Sequence, residues 1–183
     1  VYNHFTFDMP IADSFLEISE PNDRLIVINT FSKNWCMTGW RIGWMIYPNG
    51  MEVIFDNLGQ YNTTSVSTFL QHGAIKALDN GDKFVKNFVK RSKIGRDIIC
   101  SALERAPQVN IVRPKGTFYS MFSVRGMDNG VEMAKKILHK VKVGVAPGSA
   151  FGTGAESYLR LCFGVDHALL TTAANRLSSF FKN

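Results

Sequence analysis

Long hydrophobic runs are missing from this 183-residue sequence. Leu25 to Ile28 and Gly43 to Tyr47 are among its longest apolar stretches, far below the ~20 residues that a membrane-spanning helix needs. A secretory signal pattern is missing at the start as well, so the sequence reads as a cytoplasmic chain with no membrane partner. Cysteine is scarce: Cys36, Cys100 and Cys162 are an odd set with no metal-type pairing, which points to reduced structural thiols rather than disulfides. His4, His72, His139 and His167 lack metal-ligand spacing, so no metal site is expected. There is no internal repeat and no low-complexity linker. What the sequence does have is 45% apolar residues with 12% aromatics, enough for one substantial core or two small ones and too many for a disordered chain.

The formal net charge of +6 raises the question of a nucleic-acid partner. Lys83, Lys86, Lys90, Arg91, Lys93 and Arg96 crowd into one stretch, but Phe84, Val85, Phe88, Val89, Ile94, Ile98 and Ile99 fall between them at helical spacing. The cations therefore read as the wet face of an amphipathic helix. No recognition motif accompanies them, and no nucleic-acid partner is expected.

The order of elements is that of an α/β protein. Leu25 to Asn29 is a compact apolar run, read as a buried parallel strand, and Ile42 to Tyr47 is the next strand, closed by the turn Pro48-Asn49-Gly50. Thr63, Thr64 and Ser65 offer N-cap hydroxyls to a helix reaching Asp79, and a second helix runs from Asn80-Gly81-Asp82 to about Arg105. Val109 to Arg113 and Thr117 to Val124 read as a hairpin across Pro114-Lys115-Gly116. Gly130 to Val141 is a helix, Val143 to Ala146 and Tyr158 to Phe163 are strands, and a last helix starts at Asp166.

Two places carry chemistry. Thr30 to Gly43 sets Lys33 and Arg41 among hydroxyl and glycine residues just past the carboxyl end of the first strand, where α/β folds deliver functional groups. A lysine attacks a carbonyl well only when burial or a neighbouring cation lowers its pKa, and Arg41 is such a cation. Thr30 and Ser32 supply hydroxyls, and Arg41 has the fork that grips a phosphate. Farther on, alternation in Tyr158-Leu159-Arg160-Leu161-Cys162-Phe163 sets Arg160 on one face of a strand between apolar neighbours, and a buried arginine needs an anion.

The string Thr30-Phe31-Ser32-Lys33-Asn34-Trp35-Cys36-Met37-Thr38-Gly39-Trp40-Arg41-Ile42-Gly43 resembles the cofactor-lysine signature of fold-type I, class I/II, aspartate aminotransferase-like enzymes. Pro114 to Tyr119 and Val145 to Gly152 resemble segments of that family's small domain, in the expected order. The resemblance implies that Lys33 forms a Schiff base with pyridoxal 5'-phosphate and acts as the catalytic base. It further implies that Arg41, with Ser32 and Thr30, holds the phosphate, that Tyr2 contacts the ring oxygen, and that Arg160 binds the substrate α-carboxylate. The reaction implied moves an amino group between an amino acid and a 2-oxo acid, in a homodimer.

The resemblance covers nearly the whole chain but only the C-terminal half of a family member. The aspartate that meets the pyridine nitrogen, the phosphate loop and the stacking aromatic belong to the first half. The fold implied is the end of the large-domain mixed sheet plus the C-terminal small α/β domain. Residues 1–60 fall in the cofactor-binding domain, 61–105 in a helical crossover and 106–183 in the small domain. A lone half is expected to be inactive. Two alternatives stay open: a truncated non-catalytic scaffold or dimer module, and a sister pyridoxal-phosphate lyase on the same fold.

Overall fold

The computed structural model describes residues 1–182. The chain divides into two compact units, Val1–Phe88 and Val89 onward.

In the first unit, β1 (Val27–Thr30) pairs antiparallel with β2 (Gly43–Ile46), in a register running from Val27↔Ile46 to Thr30↔Gly43. The sequence reads β1 as a strand of parallel type, whereas its partner within this chain is antiparallel: the short link between the strands holds a single helical turn and a 3-10 turn, too little for the crossover a parallel pair needs. The apolar run did not reveal this because it suits either pairing.

The helical turn, α1 (Phe31–Asn34), is capped by Thr30, whose side chain accepts from the Ser32 amide. It stops at Cys36, which takes the left-handed conformation (φ 55°) while the Met37 amide reaches back to the Phe31 carbonyl. Phe31, Met37, Ile42 and Ala74 are buried together, with Trp35, Leu70 and Ala77 packed against them. Ala74, Leu70 and Ala77 come from α3 (Thr68–Asn80), which lies beyond α2 (Glu52–Asn62). The expected N-cap at Thr63 to Ser65 is displaced, because Thr64 turns into the left-handed region (φ 63°) and the helix starts only after Ser67.

The helix α4 (Asp82–Leu103) runs through the division between the units. Lys83, Lys86, Lys90, Arg91 and Lys93 lie exposed, as an amphipathic face requires. Arg96 departs from that face: it is buried, donates to the Pro114 carbonyl (3.0 Å) and pairs with Asp97 (2.8 Å).

The second unit is built on an antiparallel sheet of β3 (Val109–Ile111), β4 (Tyr119–Val124), β5 (Ala146–Pro147) and β6 (Tyr158–Cys162), in the order β3-β4-β6-β5. One face carries Phe122, Val124, Leu159 and Leu161 into a core shared with Ile99, Leu103, Ile137, Leu177 and Phe181. α5 (Gly130–Val141) covers the expected residues, its first amides held by the Asn129 side chain. Gly130 permits a close approach: a Cβ there would lie 2.6 Å from the Tyr158 carbonyl oxygen. α6 (His167–Lys182) follows, with Asp166 accepting from the Ala168 amide (2.9 Å).

Candidate active site

Lys33 stands on α1, one turn beyond β1, and its position is over-determined by local bonds. Thr30 Oγ1 lies 2.9 Å from Ser32 Oγ and 3.2 Å from the Ile42 carbonyl oxygen, and the Phe31 amide donates to the same carbonyl. The Arg41–Gly43 segment is thereby drawn along the start of α1. The Thr30 hydroxyl, expected from the sequence as a phosphate contact, already serves as the helix cap, whereas Ser32 is buried beside it.

Tyr2 also comes to Lys33. The Lys33 Nζ lies over the Tyr2 ring, 5.8 Å from its centre. A bond that the sequence does not suggest ties these two segments together: Asn34 Nδ2 donates to Asn3 Oδ1 at 2.7 Å. Asn34 is fully buried, and its own Oδ1 has no hydrogen-bond partner among the described residues. Only the polar type of Asn34 beside the lysine could have signalled this tie, since Asn3 lies 31 residues away.

Arg41 is exposed and left-handed (φ 53°), at the exit of the 3-10 turn Thr38–Trp40, and donates through Nη1 to the Thr38 carbonyl (2.8 Å). A guanidinium has five N–H donors, so one such bond leaves capacity for an anion. An amine after β1, a guanidinium before β2 and a buried hydroxyl on α1 are donor types suited to a phosphorylated aldehyde: the amine for the carbonyl, the other two for the phosphate. Gly43 keeps the strands close behind them, since a Cβ there would stand 2.4 Å from the Asn29 carbonyl oxygen.

In the second unit, Arg160 occupies the centre of β6, opposite Met121 of β4 and Ala146 of β5. Its side chain is half-buried and points away from the core face that takes Leu159 and Leu161. Sequence alternation predicted this orientation. The aromatic surroundings were not predicted: the guanidinium carbon lies 4.2 Å from the centre of the Tyr119 ring and 3.6 Å from that of Phe151.

The three cysteines are free; Cys36 and Cys162 are exposed, while Cys100 is buried. Burial pushes the Cys100 thiol pKa up, with the Arg113 cation opposing the shift. Among the described residues no cluster of metal-ligating side chains occurs, and no helix is long and apolar enough to cross a membrane.

The profile of the aminotransferase class I and II family matches residues 1–177. The chain is 33% identical over 170 residues to the aspartate aminotransferase of Thermotoga maritima, covering 93% of this chain and 43% of that protein. It is 34% identical over 166 residues to a probable aspartate aminotransferase of Methanocaldococcus jannaschii, covering 87% and 44%. Among solved structures, an aromatic aminotransferase from Pyrococcus horikoshii superimposes with a TM-score of 0.91 at 31% identity, covering all of this chain and 49% of that one. The aspartate aminotransferase of Thermotoga maritima gives 0.88 at 32% identity, covering 100% and 46%. The chain thus spans a little under half the length of the curated relatives it matches. A lysine-bearing turn after a strand, an arginine in the middle of a later sheet and agreement along nearly the whole chain lead to one assignment: the chain belongs to the aminotransferase class I and II family, and its mixed α/β architecture is that of the family's pyridoxal-phosphate-dependent transferase fold.

Proposed function

We propose that this polypeptide is the lysine-bearing portion of a pyridoxal 5'-phosphate-dependent aminotransferase, which moves an amino group between an amino acid and a 2-oxo acid. The observation that carries this reading is Lys33 at the end of β1, its Nζ over the Tyr2 ring and the Arg41–Gly43 segment bonded alongside. When bound, the cofactor supplies an electrophilic aldehyde and an electron sink. Arg41, with Ser32 and Thr30, holds the phosphate, and the Thr30 hydroxyl also bonds the Ser32 hydroxyl. Tyr2 lies along the ring side of the lysine. The Lys33 amine takes the proton from the substrate α-carbon, and Arg160 orients the α-carboxylate through its planar fork.

Aspartate is the substrate favoured, because relatives at 33–34% identity are named for it. In this reading residues 1–60 belong to the cofactor-binding domain, 61–105 to the crossover and 106–183 to the small domain. The assembly is a homodimer. A cytoplasmic setting is supported by three free thiols, which persist in reducing compartments.

The test is turnover of L-aspartate with 2-oxoglutarate by this polypeptide joined to the portion of the Thermotoga maritima aspartate aminotransferase that it does not match, with Lys33 intact and as Lys33→Ala. Loss of turnover in the variant is expected; equal turnover in both rejects the role of Lys33.

A further inference from the structure

An arginine that serves as an anion site needs its long side chain held still before the anion arrives, or binding must immobilise it. Arg160 is held still without the use of an ion pair. Its Cα is fixed in an inner strand between β4 and β5, and its guanidinium lies over the Tyr119 and Phe151 rings at 4.2 and 3.6 Å. No carboxylate pairs with it among the described residues. The acids nearest to it in sequence have other duties: Glu156 accepts from the Gly154 amide, and Asp166 caps α6.

Each ring is placed by a specific feature of the backbone. Tyr119 is opposite Cys162 in the β4-β6 register, so it sits diagonally from Arg160 on the same face of the sheet. Phe151 closes the 3-10 turn Gly148–Phe151. That turn lies flush against the start of β6 because Gly148 has no side chain: a Cβ there would stand 2.1 Å from the Ala155 carbonyl oxygen and 2.9 Å from Tyr158 Cβ. The Ala146 side chain, directly beside Arg160, is too small to displace the guanidinium. A ring face attracts a cation without accepting from its N–H fork in the way a carboxylate does, so the fork keeps its capacity for an anion.

We propose that Tyr119 and Phe151 form an aromatic clamp that preorganises Arg160 as a carboxylate site. Both are positioning residues that act through the arginine. The inference rests on the proposed carboxylate role of Arg160 and adds the two residues that make that role efficient.

The test uses the 183-residue chain labelled with 15N. The Arg160 Nε–Hε signal is assigned by its loss in Arg160→Lys and followed during titration with sodium propionate, with sodium chloride as the ionic-strength control. A saturable shift is expected, with Phe151→Leu and Tyr119→Leu each weakening binding about fivefold, the range a single cation–π contact supports. Phe151→Tyr and Tyr119→Phe keep a ring and should bind as the parent chain does. Each leucine variant should also reduce the ring-current displacement of the Arg160 signal while the backbone amide spectrum stays that of the folded chain. Leucine variants that bind propionate as tightly as the parent overturn the clamp and leave the arginine assignment standing. No saturable shift of the Arg160 signal in the parent overturns the carboxylate role itself and the clamp with it.

Discussion

Gly43→Ala, set against Gly39→Ala, tests whether the lysine-bearing turn is held by close approach of its two strands. Both glycines lie in the same segment, and neither has a positive φ. An added Cβ at Gly39 meets nothing within 4 Å, whereas at Gly43 it would stand 2.4 Å from the Asn29 carbonyl oxygen and 3.2 Å from Thr30 Cα. The obstacle is backbone, so β1 must move away from β2, weakening the Thr30↔Gly43 pairing and the contact between the Thr30 hydroxyl and Ile42. Overpacking of this kind costs about 1–3 kcal/mol, against about 0.4–1 kcal/mol regained from the less flexible unfolded chain. A net loss of about 1 kcal/mol follows for Gly43→Ala, and no loss for Gly39→Ala. Urea denaturation followed by tryptophan fluorescence isolates the effect, because Trp35, Trp40 and Trp44 all lie in the first unit. With a slope of about 1–2 kcal/mol per molar urea, the Gly43→Ala midpoint should fall by about 0.5–1 M. Coincident midpoints for the two variants would refute the reasoning.

Three further outcomes are expected. Phe122→Ala removes a fully buried ring that meets Phe181 edge-on at 6.1 Å, and should cost the second unit about 3–5 kcal/mol, read by far-UV circular dichroism in denaturant. Lys142→Gly should stabilise that unit by about 0.5–1 kcal/mol in the same assay, since Lys142 ends α5 in the left-handed conformation (φ 57°) that glycine adopts freely. The raised pKa of Cys100 means that the folded chain keeps a proton which the unfolded chain has lost. Stability should therefore fall as pH rises through the ordinary thiol range of about 8.5, and Cys100→Ala should flatten that fall in urea titrations between about pH 7.5 and 9.5.

Much of the fold was legible because local rules and tertiary packing agree. α5 is readable from an Asn N-cap and a helix-period apolar face, and the β3-β4 hairpin from two strands flanking Pro114-Lys115-Gly116. Where the two levels part, the sequence misleads. β1 reads as a parallel strand, yet its partner within this chain is antiparallel, since an apolar run does not specify pairing. Arg96 reads as one more solvated cation of α4, but a carbonyl 18 residues away draws it inward. At the site, Lys33 and Arg41 stand where the motif puts them, at the exit of β1 and the entry to β2. Thr30 also caps α1, a role available to a hydroxyl one residue before a helix. The Asn3–Asn34 tie and the rings around Arg160 are contacts between segments distant in sequence, which no local pattern encodes.

The central claim is that Lys33 is the lysine of a cofactor site. The chain is mixed with pyridoxal 5'-phosphate and reduced with borohydride, and the adduct is mapped by mass spectrometry. The account predicts one stoichiometric adduct, on Lys33. Adducts scattered over the lysines, or an unlabelled Lys33, would contradict it.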